Sequence, residues 1–183
     1  MGKRSDFARV ERDFYPTPYE AVVPLLPHLR PGTAFAEVCA GNGALISHLV
    51  RAGHWCGFAS DIEPLTPTIL SMDALDLTPM KLGLAWECFI TNPPWTRGIL
   101  HALIAHLSAL GPTWLLFDAD WPHTKQAIPY LHLLRKIVAV GRVKWIPDSP
   151  HTGKDNCCWY LFDAKSTGPA VFHGRIDIAR ERT

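Results

Sequence analysis

The chain is missing most of the features that would make it a membrane, secreted or metal-dependent protein. No apolar stretch approaches the roughly 18 residues that a membrane-spanning helix needs, and Met1-Gly-Lys-Arg-Ser-Asp6 carries no apolar core of a signal peptide. The five cysteines (Cys39, Cys56, Cys88, Cys157 and Cys158) are odd in number and show neither CxxC nor Cys/His ligand spacing. Nine scattered histidines form no HExxH. Reduced, buried thiols and no metal site are the expectation. A net charge of +1 leaves no global basic field, which argues against tight, independent binding of nucleic acid. No repeat, low-complexity run or linker divides the chain, so residues 1–183 read as one domain of a soluble cytoplasmic protein. Apolar residues at 48% and charged ones at 19% suit a packed globular core rather than a disordered chain.

What is present alternates. Tyr19 to Leu29 predicts a short helix entered through Pro18. Strands are expected at Ala34–Cys39, Cys56–Ser60, Ile69–Met72, Trp86–Thr91 and Thr113–Ala119, with helices at Gly43–Ala52, Gly98–Leu110 and Lys125–Leu134. Two late strands, Ile137–Trp145 and Cys157–Phe162, are joined by a Pro/Gly-rich loop. The fold class is therefore α/β: a mostly parallel sheet with helices on both faces and an antiparallel hairpin at one edge. Residues 164–183 read as a peripheral tail, tacked down by Phe172 and Ile176. From Arg135 to Asp155, five basic residues (Arg135, Lys136, Arg142, Lys144, Lys154) face two acidic ones (Asp148, Asp155). That stretch is either a solvated face or a rim for a phosphate backbone.

The chemistry concentrates at Asn92-Pro93-Pro94-Trp95, placed where a buried strand ends. Two prolines stiffen the turn and leave their carbonyls outward. Asn92 Oδ1 and the Pro93 carbonyl can accept from one exocyclic amine, while Trp95 offers an aromatic face. These four residues describe a clamp for an amino group on a planar ring. Gly41 and Gly43 sit between the first strand and the next helix, as a ligand loop or a simple turn. Glu37, deep in that strand, needs a cationic or hydrogen-bonding partner.

Asn92-Pro-Pro-Trp95 resembles the catalytic motif of S-adenosylmethionine-dependent amino-methyltransferases that make N6-methyladenine in DNA. Phe35-Ala-Glu-Val-Cys-Ala-Gly-Asn-Gly-Ala44 is similar to that family's glycine-rich cofactor loop, and Asp13-Phe-Tyr-Pro-Thr-Pro18 to its N-terminal closing segment. The resemblance implies a Rossmann-like class I methyltransferase with a seven-stranded sheet, residues 1–30 closing over the cofactor. It implies cofactor contacts from Tyr15, Pro16, Thr17, Glu37, Cys39, Ala40, Gly41, Asn42, Gly43, Asp61, Ile62, Asp73, Ala74 and Asn92. Asp61 would take the ribose hydroxyls, Ile62 the adenine face and Asp73 the adenine amine, with Asp76 the second choice. Trp95 would stack on a flipped or single-stranded base, with Trp121 and His123 as a second wall and Lys154 on the DNA backbone; core packing is the plainer reading of Trp121. No Pro-Cys dipeptide of a cytosine C5 enzyme occurs. RNA adenine, a protein glutamine, or a subunit needing a partner for recognition remain alternatives, since no segment is left for a separate recognition region. Such compactness would suit a phage or mobile-element enzyme that modifies its own genome broadly, in the cytoplasm of a bacterial or phage-infected host cell.

Overall fold

A computed structural model describes residues 15–146 and 152–176. Asp13, Phe14, Asp148 and the end of the tail lie outside the described residues.

The expected first helix breaks in two. Tyr19–Val22 (α1) is helical, but Val23–His28 winds as a 3-10 segment because Pro24 and Pro27 have no amide to donate. Ala34–Glu37 (β1), Ala44–Arg51 (α2), Trp55–Asp61 (β2) and Leu70–Ser71 (β3) follow. Next come Pro79–Leu82 (α3), Cys88–Thr91 (β4), Arg97–Leu110 (α4) and Thr113–Asp118 (β5). The helix expected at Lys125–Leu134 is instead 3-10 over Lys125–Leu133, with Pro129 inside it. Leu134–Arg142 (β6) and Asn156–Phe162 (β7) form the late hairpin.

An eighth strand, Val171–His173 (β8), replaces part of the expected tail. The sheet order is β3-β2-β1-β4-β5-β7-β6-β8, and only β7 runs against its neighbours. The hairpin is thus not at the edge, because β8 pairs in parallel with β6 and covers it. Arg135 holds this arrangement: its guanidinium donates to the carbonyls of Leu134, His132, Gly168 and Ser166. Charge-assisted bonds of this kind contribute about 1.5–3 kcal/mol each where buried. Arg135→Ala is expected to lower unfolding stability by about 2 kcal/mol and to speed amide exchange in β8 first; uniform exchange would show that β8 does not depend on it.

Side chains alternate through the sheet with period two. Phe89, Leu115, Phe117, Tyr160 and Phe162 face α4, whose Leu100, Leu103, Ile104 and Leu107 recur at helical spacing. Ile90, Trp114, Leu116 and Trp159 face α1, the 3-10 segment after it and α2 through Ala21, Val22, Leu25, Leu45 and Leu49. The cysteines are all free; burial pushes the Cys88 and Cys157 thiols up to about 12, so both stay protonated packing groups. Among the described residues no helix is long and apolar enough to cross a membrane.

Candidate active site

The strand order reverses between β1 and β4, and clefts form where connections diverge in this way. The last residues of those two strands meet there. Glu37 is 1% exposed; it accepts from the Thr91 hydroxyl and, at 3.1 Å, from the Cys39 amide. Burial raises its carboxyl to about 8, and the Thr91 bond only partly offsets this. A buried acid poised to ionise is a receptor for a cation.

The glycine loop follows. Gly41 (φ 51°) and Gly43 (φ 78°) adopt left-handed backbone that L side chains rarely accept. The Gly41 amide donates to Asp61 Oδ2 at 2.8 Å, and the Glu63 amide to Oδ1 at 2.8 Å. Asp61 therefore ties the loops after β1 and β2 together, and each oxygen keeps a further lone pair for a ligand. Ile62 beside it is 64% exposed. Asn42 Oδ1 accepts from the Ala44 amide at 3.1 Å, closing the turn that leads into α2. Asp73 caps the short turn Ala74–Asp76, accepting from the Leu75 amide at 2.9 Å, and Ala74 is buried beneath it.

Asn92 leaves β4 with its amide oriented. Nδ2 donates to Thr17 Oγ1 at 3.2 Å and lies 3.5 Å from the Tyr15 carbonyl, so the segment Tyr15-Pro16-Thr17 fixes which way the group points. The Thr17 hydroxyl thus serves the Asn92 amide, a role that the sequence does not reveal. Oδ1 receives only a long approach from Trp95 Nε1, 3.4 Å, because that indole donates more closely to the Leu116 carbonyl at 3.1 Å. Pro93 is buried and Pro94 half-buried, holding the turn. Trp95 is half-buried against both core clusters. Just downstream, Arg97 and Asp118 pair at 2.7 Å and tie the start of α4 to the end of β5.

One expected wall is absent. Trp121 is fully buried, donates to His101 Nε2 at 3.0 Å and packs on Phe117, Tyr160 and Phe162, so it has no face for a base. Two of these rings, Tyr160 and Phe162, come from β7, some 40 residues away, which local sequence does not reveal. His123 remains exposed on the turn after β5, and Lys154 is exposed before β7. The residue that does reach Trp95 is Trp145, unassigned from sequence. Their rings meet at 5.7 Å and 88°, and Tyr15 stands 6.5 Å from Trp145. Its only sequence signal is an aromatic residue where the chain leaves a late strand.

This is the Rossmann-like α/β fold found in methyltransferases. The chain superposes on a candidate RNA methyltransferase from Pyrococcus horikoshii with a TM-score of 0.53 and 16% identity, over 86% of this chain and 90% of that one. It superposes on a type I restriction-modification methyltransferase subunit from Streptococcus thermophilus with a TM-score of 0.52 and 10% identity, over 87% of this chain; it spans about half (47%) of that subunit. A candidate hemolysin from Lactococcus lactis gives 0.58 at 9% identity, over 95% of this chain and the whole of that one. No family profile and no curated protein matches the sequence. At such identities the likeness is one of fold, and the function rests on the site.

Proposed function

We propose that this chain transfers a methyl group from S-adenosylmethionine to the exocyclic N6 of adenine in DNA. One observation carries the reading: Thr17 occupies the Asn92 amide nitrogen and leaves Oδ1 turned to accept, at the carboxyl end of β4. The same edge carries residues that fit the cofactor. Glu37 is a buried carboxyl suited to an ammonium, Gly41 and Gly43 allow close backbone approach, and Asp61 and Asp73 stand at successive strand ends. When bound, the cofactor supplies an electrophilic methyl on a sulfonium.

The protein's own contribution is orientation. The adenine amine is a weak nucleophile because its lone pair is delocalised into the ring. Acceptors at Asn92 Oδ1 and the Pro93 carbonyl favour a pyramidal nitrogen and stabilise the positive charge that develops on it. No strong base is required, since the nitrogen becomes acidic only after methylation. Trp95 supplies a stacking surface for a base removed from its helix. DNA duplex, single-stranded DNA and RNA are distinguished by contacts beyond this clamp.

Incubation with S-adenosylmethionine and unmethylated genomic DNA, followed by nucleoside mass spectrometry, tests the reading. N6-methyladenine is the expected product; cofactor binding with no methylated deoxynucleoside would sink it. Parallel RNA reactions would then identify the other acceptor. Thr17→Val is expected to lower turnover about 2- to 10-fold, the value of one net hydrogen bond, with cofactor affinity nearly unchanged. An equal loss in both would place Thr17 on the cofactor instead.

A further inference from the structure

Because β8 is parallel to β6, and β6 to β5, the chain leaves β8 at the same edge of the sheet as Asn92. Two residues later, the Arg175 guanidinium lies over Gly141, 3.2–3.4 Å from where a β-carbon there would stand. Gly141 has φ 93°, and the missing side chain makes room for that cation. Arg142 follows, exposed and in register with Asn156. The loop before β7 folds back on it: the Gly153 amide donates to the Val143 carbonyl at 2.8 Å, and Gly153 backs onto the Trp145 ring. Lys154 is exposed beside it, and Trp145 meets Trp95. Contacts therefore run from Arg175 to Gly141 and, one residue past Arg142, from Val143 through Gly153 to the aromatic pair at the clamp.

The basic stretch seen in the sequence splits along this path. Arg135 is taken up by four carbonyls at the start of β6, and Lys136 stands in register with Val171 toward the same end. Arg142, Lys144 and Lys154 stay at the catalytic edge, and Arg175 joins them from beyond the stretch. Glu20 accepts from the Lys144 amide, and Asp155 adjoins Lys154, so the arginines supply the cationic character.

We propose that Arg175 and Arg142, with Lys154, form a strip that holds the phosphodiester backbone of the substrate strand beside the pocket. This rests on the reading of the chain as a nucleic-acid adenine methyltransferase. A guanidinium fork fits phosphate oxygens, and a chain of net charge +1 must concentrate its cations where the strand lies.

Fluorescence anisotropy across a salt series, using one sequence as duplex DNA, single-stranded DNA and single-stranded RNA, tests the strip. Wild type, Arg175→Ala, Arg175→Lys and Arg51→Ala are compared, Arg51 lying at the opposite edge where α2 ends. The expected result is a salt slope shallower by about 0.9 on duplex, or about 0.7 on single strands, in Arg175→Ala. Arg175→Lys restores the slope and Arg51→Ala leaves it unchanged. An unchanged slope in Arg175→Ala, an equal drop in Arg51→Ala, or wild-type binding without salt dependence overturns the strip. Dividing each wild-type slope by about 0.9 for duplex or about 0.7 for single strands gives the number of phosphates the strip holds on each. Methyl transfer is assayed separately: activity with no Arg175 dependence removes the strip alone, while Arg175-dependent binding with no transfer removes the activity alone.

Discussion

Asn92→Ala should reduce methyl transfer about 100- to 1,000-fold, the usual loss when one preorganised group facing developing charge is removed. Cofactor affinity should stay within a few-fold, because Glu37, Gly41, Asp61 and Asp73 lie on other strands and loops. The size of the effect follows from preorganisation. Thr17 already holds the Asn92 amide nitrogen, so Oδ1 pays no further ordering cost when an amine arrives. Asn92→Asp keeps an acceptor but loses the Thr17 bond, and should retain more activity than alanine. Single-turnover rates with saturating cofactor give the comparison. Alanine retaining more than a tenth of the wild-type rate would remove Asn92 from the chemistry.

The second large effect is in pH. Glu37, with its carboxyl raised to about 8, is largely neutral in the free protein at pH 6. A cationic ligand that needs the carboxylate must release that proton, so its affinity should rise about tenfold per pH unit below pH 8 and then level. From pH 6 to 8 the gain is about 50-fold, because half of the carboxyl is still protonated at pH 8. Calorimetry in buffers of different protonation heat should find proton release approaching one per cofactor at pH 6–7. Glu37→Gln should bind weakly, with little pH dependence. The sign for stability is opposite. A raised carboxyl contributes fully below its ordinary value of 4.5, and that contribution is lost as pH rises through about 8. Unfolding of the free protein should therefore show wild type losing ground to Glu37→Gln between pH 5 and 9. Parallel pH profiles for the two proteins would refute the assignment.

The parts of this architecture that sequence reveals are those that local pattern controls. Leu100, Leu103, Ile104 and Leu107 announce α4 by spacing, and Cys88–Thr91 announces a buried strand by its unbroken apolar character. Gly41 and Asn92 mark the loops at the strand ends because their chemistry is local. What stays hidden depends on distant partners. Val171–His173 is too short to read as a strand until Arg135 gathers the carbonyls of Ser166 and Gly168. Trp121 reads as core or, less plainly, as a wall until Tyr160 and Phe162 arrive from β7. Trp145 joins the site only because β6 ends beside β4's loop. Pro129 was visible, yet a period that suits α-helix concealed the 3-10 geometry it imposes.

The insertion of β7 between β5 and β6 also bears on how the chain is made. Trp114, Leu115, Leu116 and Phe117 have no partner on one side until Cys158–Leu161 pair with them. During synthesis β5 emerges long before β7, and β6, which comes first, is not its neighbour. For that interval the nascent protein presents an open, apolar strand edge, the kind of surface that recruits other chains. Completion requires a non-local pairing, which is intrinsically slow. The same strand that closes the core is therefore the step at which production of this protein competes with aggregation.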